Sequence, residues 1–231
     1  MPPTWLVALA WVALAVGFAS AAVVLFDIKV RGYRQRMTVM EWVWPITGLY
    51  FGPVAWWAYH RWGRPKSSRW LAEHDLDEPP AASHAATVAV GVSHCGAGCT
   101  LGDIIAEFAV FGLGVSIAGE ALFAEYLGDY LLAVALGLVF QYFAIAPMRG
   151  LGFRKGIVAA AKADIGSLTA FEVGLFGWMA LQSLVFFPAP HHLQPNSPVY
   201  WFGMQLGMII GFGTAYPVNA WLIRRGIKEA M

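Results

Sequence analysis

The chain has 231 residues, of which 58% are hydrophobic and 13% charged, with a mean hydropathy of +0.58. A water-soluble domain carries about 25% charged residues, so the composition excludes an ordinary soluble domain and points to an all-α, polytopic bundle surrounded by a lipid bilayer. The net charge of +1 gives no basis for a nucleic-acid partner.

Runs of roughly 20 apolar residues mark membrane spans. The first is 5–26. Its end, "FASAA", has the form of a cleavage site, but "MPPTW" before it holds no Lys or Arg and the run exceeds a signal-peptide core, so it reads as a retained anchor. The second, 40–59, is interrupted by Pro45, Gly48, Gly52 and Pro53. The remaining four are 104–124, 130–147, 168–187 and 200–223. Between the second and third, Pro, Ser, Ala and charge replace apolar periodicity, so 63–92 is expected to be a flexible cytoplasmic linker. It separates an N-terminal membrane hairpin, 1–62, from a four-helix membrane domain, 93–231. His74 and His84 are solvated linker residues on this reading.

All fifteen Lys and Arg fall in four clusters, 29–36, 61–69, 149–162 and 224–228. Positive flanks stay in the cytoplasm. Six full spans with both termini inside put eleven of the fifteen there. The alternative, five spans with 40–59 as a re-entrant segment, puts all fifteen there. Either way the expectation is a multi-pass inner (plasma) membrane protein with a cytoplasmic carboxyl terminus.

The third span is entered through "SHCGAGCTLGDIIAE", residues 93–107, which holds the only two cysteines. Thr100 and Asp103 have the spacing of a capping box, which predicts a helix starting near Leu101 with Cys99 at its amino end, a position that stabilises a thiolate. Gly96 and Gly98 would let both sulfurs turn to one point. If the helix extends back instead, Cys95, Cys99, Asp103 and Glu107 form one row at four-residue spacing. With His94 they are a candidate set for a soft or borderline ion, copper or zinc. A thiol redox role, or two small residues that merely pack, are the competing readings.

Polar groups continue through the spans. Glu107 and Glu120 lie about 20 Å apart along a helix, and Gln141, Glu172, Gln182 and Gln205 follow. Ionisable residues inside hydrocarbon default to function, so Glu107 and Glu172, and to a lesser degree Glu120, are candidates for a pathway. Met204 and Met208 share a helix face and suit a soft cation, while His191 and His192 sit in the outer loop. Gly203, Gly207 and Gly211 form overlapping G-x-x-x-G units, which admit a second copy or a membrane-complex partner.

From His94 onward, "SHCGAGCTLGD", "QYFAIAPMRG", "AAKADIGSLTAFEVGLFGWMA" and "GFGTAYPVNAWLIRRGIKEAM" resemble the prokaryotic membrane family known as domain of unknown function 4396, over about residues 94–231. The resemblance implies a compact helical membrane domain and supplies no substrate. The expectation is therefore a membrane protein that binds, and as a further step transports, copper or zinc through His94, Cys95 and Cys99, with Asp103 or Glu107 as fourth ligand or proton acceptor. The alternative is a redox or accessory subunit of a larger membrane complex.

Overall fold

Our computed structural model describes residues 2–189 and 191–228, with every side chain except those of 146–149. Numbered along the chain, the helices are α1 (Thr4–Lys29), α2 (Met40–Phe51), α3 (Pro53–Ala58), α4 (Ser68–Glu73), α5 (His84–Leu113), α6 (Ala121–Arg149), α7 (Phe153–Leu181) and α8 (Pro198–Arg224). Among the described residues there is no strand beyond isolated bridges. Helices α1, α5, α6, α7 and α8 supply five segments long and apolar enough to cross a membrane. The protein is thus an all-helical membrane bundle, as its composition dictates.

Helix α1 starts beside the 188–197 loop, where Pro2 shares a recess with His191 and His192. It leaves the bundle at the opposite end, at Lys29. Helix α2 enters from that end and stops at Gly52, whose φ of +54° is a backbone that side-chain-bearing residues resist. Pro53 then opens α3, where a missing N–H costs nothing. The chain returns to where it entered. The Tyr59 hydroxyl donates to Asp27 Oδ2 at 2.9 Å, Arg64 Nε lies 3.3 Å from the same oxygen, and Gly63 lies flat against the Trp44 indole. Residues 40–59 are therefore broken into two short helices at Gly52, the shape of the re-entrant alternative, and the five long apolar helices beside them are roughly consistent with about six spans. At 12 residues, α2 reaches only about 18 Å at 1.5 Å per residue, well short of a hydrocarbon core of about 30 Å.

As a result, all four Lys/Arg clusters lie at one end of the bundle, here called the basic end. Glu41 is buried there between Lys29 and Arg34, with Arg34 Nε 2.6 Å from its carboxylate. The predicted linker is shorter than 63–92. A 3₁₀ turn, Arg64–Lys66, leads into α4, whose N-cap Ser67 accepts from the Trp70 N–H at 3.3 Å. Tyr33 donates to Glu73, and Arg69 to the Arg31 carbonyl. Within 63–92, irregular chain remains only between α4 and α5.

Helix α5 corrects the predicted start near Leu101. Ser83 caps it, accepting from the Ala86 N–H at 3.2 Å, so Thr100 and Asp103 lie mid-helix and cap nothing. The glycines expected to loosen this stretch instead let helices meet. A Cβ at Gly98 would fall 2.8 Å from the Gly137 Cα, and one at Gly102 2.5 Å from the Ala133 N, both on α6. Helix α6 begins at Ala121 and α7 at Phe153, well before the predicted 130 and 168. The Gly203–Gly207–Gly211 seam of α8 packs within the same chain, against Leu175 and Phe171 of α7 and Gln182 of the π turn that follows it.

Candidate functional site

Helix α5 is the axis of the site. Because it is continuous from His84, the row at four-residue spacing forms, and Cys95, Cys99, Asp103 and Glu107 are all fully buried. Three other spans close on this row. Helix α7 presents Glu172, which faces Cys99 and Asp103. Helix α6 presents Asp129, which faces Glu107 and Glu172, with Glu125 one turn away. Helix α8 presents Tyr200 toward Glu107 and Met208 toward Thr100, whose hydroxyl lies 3.6 Å from the Met208 sulfur. The re-entrant hairpin adds Tyr50. Its ring packs in the same core as both cysteines, and its hydroxyl reaches to where a Gly96 Cβ would stand, 3.1 Å away.

The polar chemistry of this face is one-sided. Both carboxylate oxygens of Asp103, Glu107, Asp129 and Glu172 are buried, and among the described residues no side chain or backbone group donates to them at hydrogen-bond geometry. Among the described residues, no lysine or arginine forms an ion pair with any of them. The Tyr50 and Tyr200 hydroxyls are also buried without a partner. A charge left this way in a low-dielectric interior costs several kcal/mol. Each acid must therefore hold a proton or share a cation.

Other predicted residues fall elsewhere. His94 is buried, but consecutive residues on a helix point about 100° apart, so its ring does not face the sulfur of Cys95. It packs edge-on to Phe140, ring centres 6.2 Å apart, near Gln141 and Asp164. Glu120 lies exposed in the turn between α5 and α6, and His191 and His192 are exposed in the 188–197 loop. All three are remote from the cysteines. Met204 and Met208 are buried on α8, in the core that holds both cysteines. Among the described residues, no three His, Cys, Asp or Glu side chains converge as a ready-made metal cage.

Sequence reasoning missed Asp129 and Glu125, which it left in a loop, and Asp164, which it placed before a span. The available signal was spacing. Glu125 and Asp129 are four apart, and Asp164 and Glu172 are two four-residue steps apart, so each pair shares a helix face.

Comparison with curated proteins and with solved structures gives no match. The family described as Domain of unknown function (DUF4396) matches residues 85–228, from the first turn of α5 to the end of the described chain, and the protein belongs to that family.

Proposed function

We propose that this membrane protein binds a cation on the acid–thiol face of α5 and passes it through the bundle in exchange for protons. One observation carries the reading: among the described residues, four buried carboxyl groups have neither a hydrogen-bond donor nor a basic partner. Such a cluster is stable only when protons or a cation neutralise it, and exchanging one for the other is what a transporter does. Cys95 and Cys99 give the face a preference for a soft ion, copper or zinc, with Glu172 and Asp103 as oxygen donors in the same cluster. His94 leaves the donor set. Closing the ligands on an ion takes side-chain rotation, and no hydrogen bond is lost when these carboxylates turn.

Equilibrium Zn²⁺ titration and elemental analysis of the purified chain, wild type against Cys95→Ser/Cys99→Ser, test the reading. Thiolate ligands must lose protons, so binding releases acid into an unbuffered solution. The wild type is expected to take up about one equivalent at the thiols, and the double variant to lose that equivalent while remaining inserted. Equal metal content in both proteins ends the assignment.

The gathered basic clusters support a plasma-membrane topology with the basic end and the carboxyl terminus in the cytoplasm. In a cysteine-free background, cysteines placed at Glu120 and His74 should react with an impermeant maleimide from opposite sides. Labelling of both from one side would reject that topology.

A further inference from the structure

A second polar cluster lies on another face of α5, toward the basic end, and the acid–thiol face does not use it. Its centre is Lys228, the one lysine or arginine that is fully buried among the described residues. After α8 ends, Gly226 takes a φ of +66° and the Ile227 and Lys228 N–H groups fold back onto the Leu222 carbonyl. This turn drives Lys228 into the bundle, where its Nζ lies 3.1 Å from Asp164 Oδ1 on α7. Arg224 and Arg225, beside it in sequence, stay exposed.

The surroundings offer more acceptors than Lys228 uses. Asp164 Oδ2 has no partner, and neither does the side-chain oxygen of Asn219 or of Gln141. The Asn219 amide is oriented by donating to Ser167 and, at 3.0 Å, to the Ala215 carbonyl, so its oxygen is turned away from both. Both ring nitrogens of His94 are likewise unpartnered. Glycines keep the space open. A Cβ at Gly137 would stand 3.1 Å from Asp164 Oδ2, and one at Gly91 would lie 3.8 Å from Asn219 Oδ1 and 4.0 Å from Lys228 Cε. The cluster is thus a carboxylate in contact with a tethered ammonium, with two amide side chains and an imidazole nearby whose acceptor atoms are free.

We propose that this cluster is a second cation station, nearer the basic end than the thiols, and that the Lys228 ammonium occupies it in place of a divalent cation. The inference rests on the cation-passage reading above. A cation arriving from the thiol site would bind Asp164, Asn219, Gln141 and His94 and expel the Lys228 side chain from the bundle, and departure of the cation would let it return. Lys228 is then a built-in competitor that keeps the station neutral when no ion is present.

The test is the reactivity of Lys228 in the full-length chain in nanodiscs, read by mass spectrometry after brief acylation with a water-soluble N-hydroxysuccinimide ester. Without metal Lys228 should be protected, whereas saturating Zn²⁺ should raise its labelling at least tenfold. Cys95→Ser/Cys99→Ser should keep this response, because the station does not need the thiols, and Asp164→Asn should abolish it. Lys228 labelling that ignores Zn²⁺ overturns the proposal even where the wild type binds metal at its cysteines. Conversely, a wild type without thiol-dependent metal but with Zn²⁺-dependent Lys228 release would sink the acid–thiol site alone. As a second measurement, Lys228→Met, which lacks the competitor, should fill the station at an at least tenfold lower free Zn²⁺ concentration than wild type, and Asp164→Asn/Lys228→Met should not fill it. An unchanged Zn²⁺ midpoint for the station in a folded Lys228→Met protein counts against it.

Discussion

The Tyr59 hydroxyl, at the end of the re-entrant hairpin, donates at 2.9 Å to Asp27, near the end of α1. Asp27 is itself buried and also lies 3.3 Å from both Arg64 and Arg31. One carboxylate thereby ties the exit of α1 to the return of the hairpin. Asp27→Ala removes the acceptor and leaves a buried hydroxyl unpaired, a change that costs about 2–3 kcal/mol. Tyr59→Phe removes one bond and should cost about 1 kcal/mol. Unfolding in detergent, followed by Trp fluorescence, should rank the two in that order. An Asp27→Ala protein as stable as wild type would show that the hairpin is held by packing alone.

Helices α5 and α6 touch through backbone at Gly98 and Gly102. A Val side chain at Gly102 cannot fit 2.5 Å from the Ala133 N without parting the helices. We expect Gly102→Val to lower stability by about 1–3 kcal/mol, the usual range for overpacking. Gly112→Ala, where a Cβ would meet nothing within 4 Å, should be neutral or slightly stabilising, since Ala exceeds Gly in helix propensity by about 1 kcal/mol. Thermal melts of the two variants give the contrast directly.

Function and stability should oppose each other at Glu172. The residue is buried, unpartnered and beside Cys99. Glu172→Gln removes an acid that the fold must keep neutral, so the melting temperature should stay level or rise. Zn²⁺ affinity should fall about tenfold, the equivalent of one lost charge-assisted contact of about 1.4 kcal/mol. Unchanged affinity in this variant would remove Glu172 from the cation site.

Acid should loosen the basic end before it touches the spans. Glu73 accepts from Arg69 Nε at 2.8 Å and from the Tyr33 hydroxyl at 2.9 Å. These bonds, Arg69's first, hold its carboxyl below the ordinary value of 4.5. A group lowered in the folded state stabilises above its unfolded pKa, and the gain is lost as pH falls through the folded value. Hydrogen exchange around α4 should therefore rise below about pH 4.5 in wild type. In Glu73→Gln it should already be raised at pH 7 and change little on acidification.

Apolar run length made the spans legible, and Pro45, Gly52 and Pro53 announced the break that makes 40–59 re-entrant. The row Cys95–Cys99–Asp103–Glu107 was legible as one of two readings, and Glu172 as an acid inside a span. Other features were hidden for physical reasons. Thr100 and Asp103 mimic a cap, and only the packing of Gly98 and Gly102 on α6 shows why a helix runs through them. Searching for apolar runs trims a helix at its first charge, which left Asp129 and Asp164 in presumed loops although both are buried in spans. His94 looked like a partner of Cys95 because it is adjacent in sequence, and helical rotation separates them.

The hairpin that stops at Gly52 belongs to the part of the chain that precedes the family segment, yet Tyr50 packs beside both cysteines. The common segment thus supplies the acids and thiols, and the preceding stretch supplies their fourth wall. A chain built from that segment alone would have this flank open to acyl chains or to another subunit.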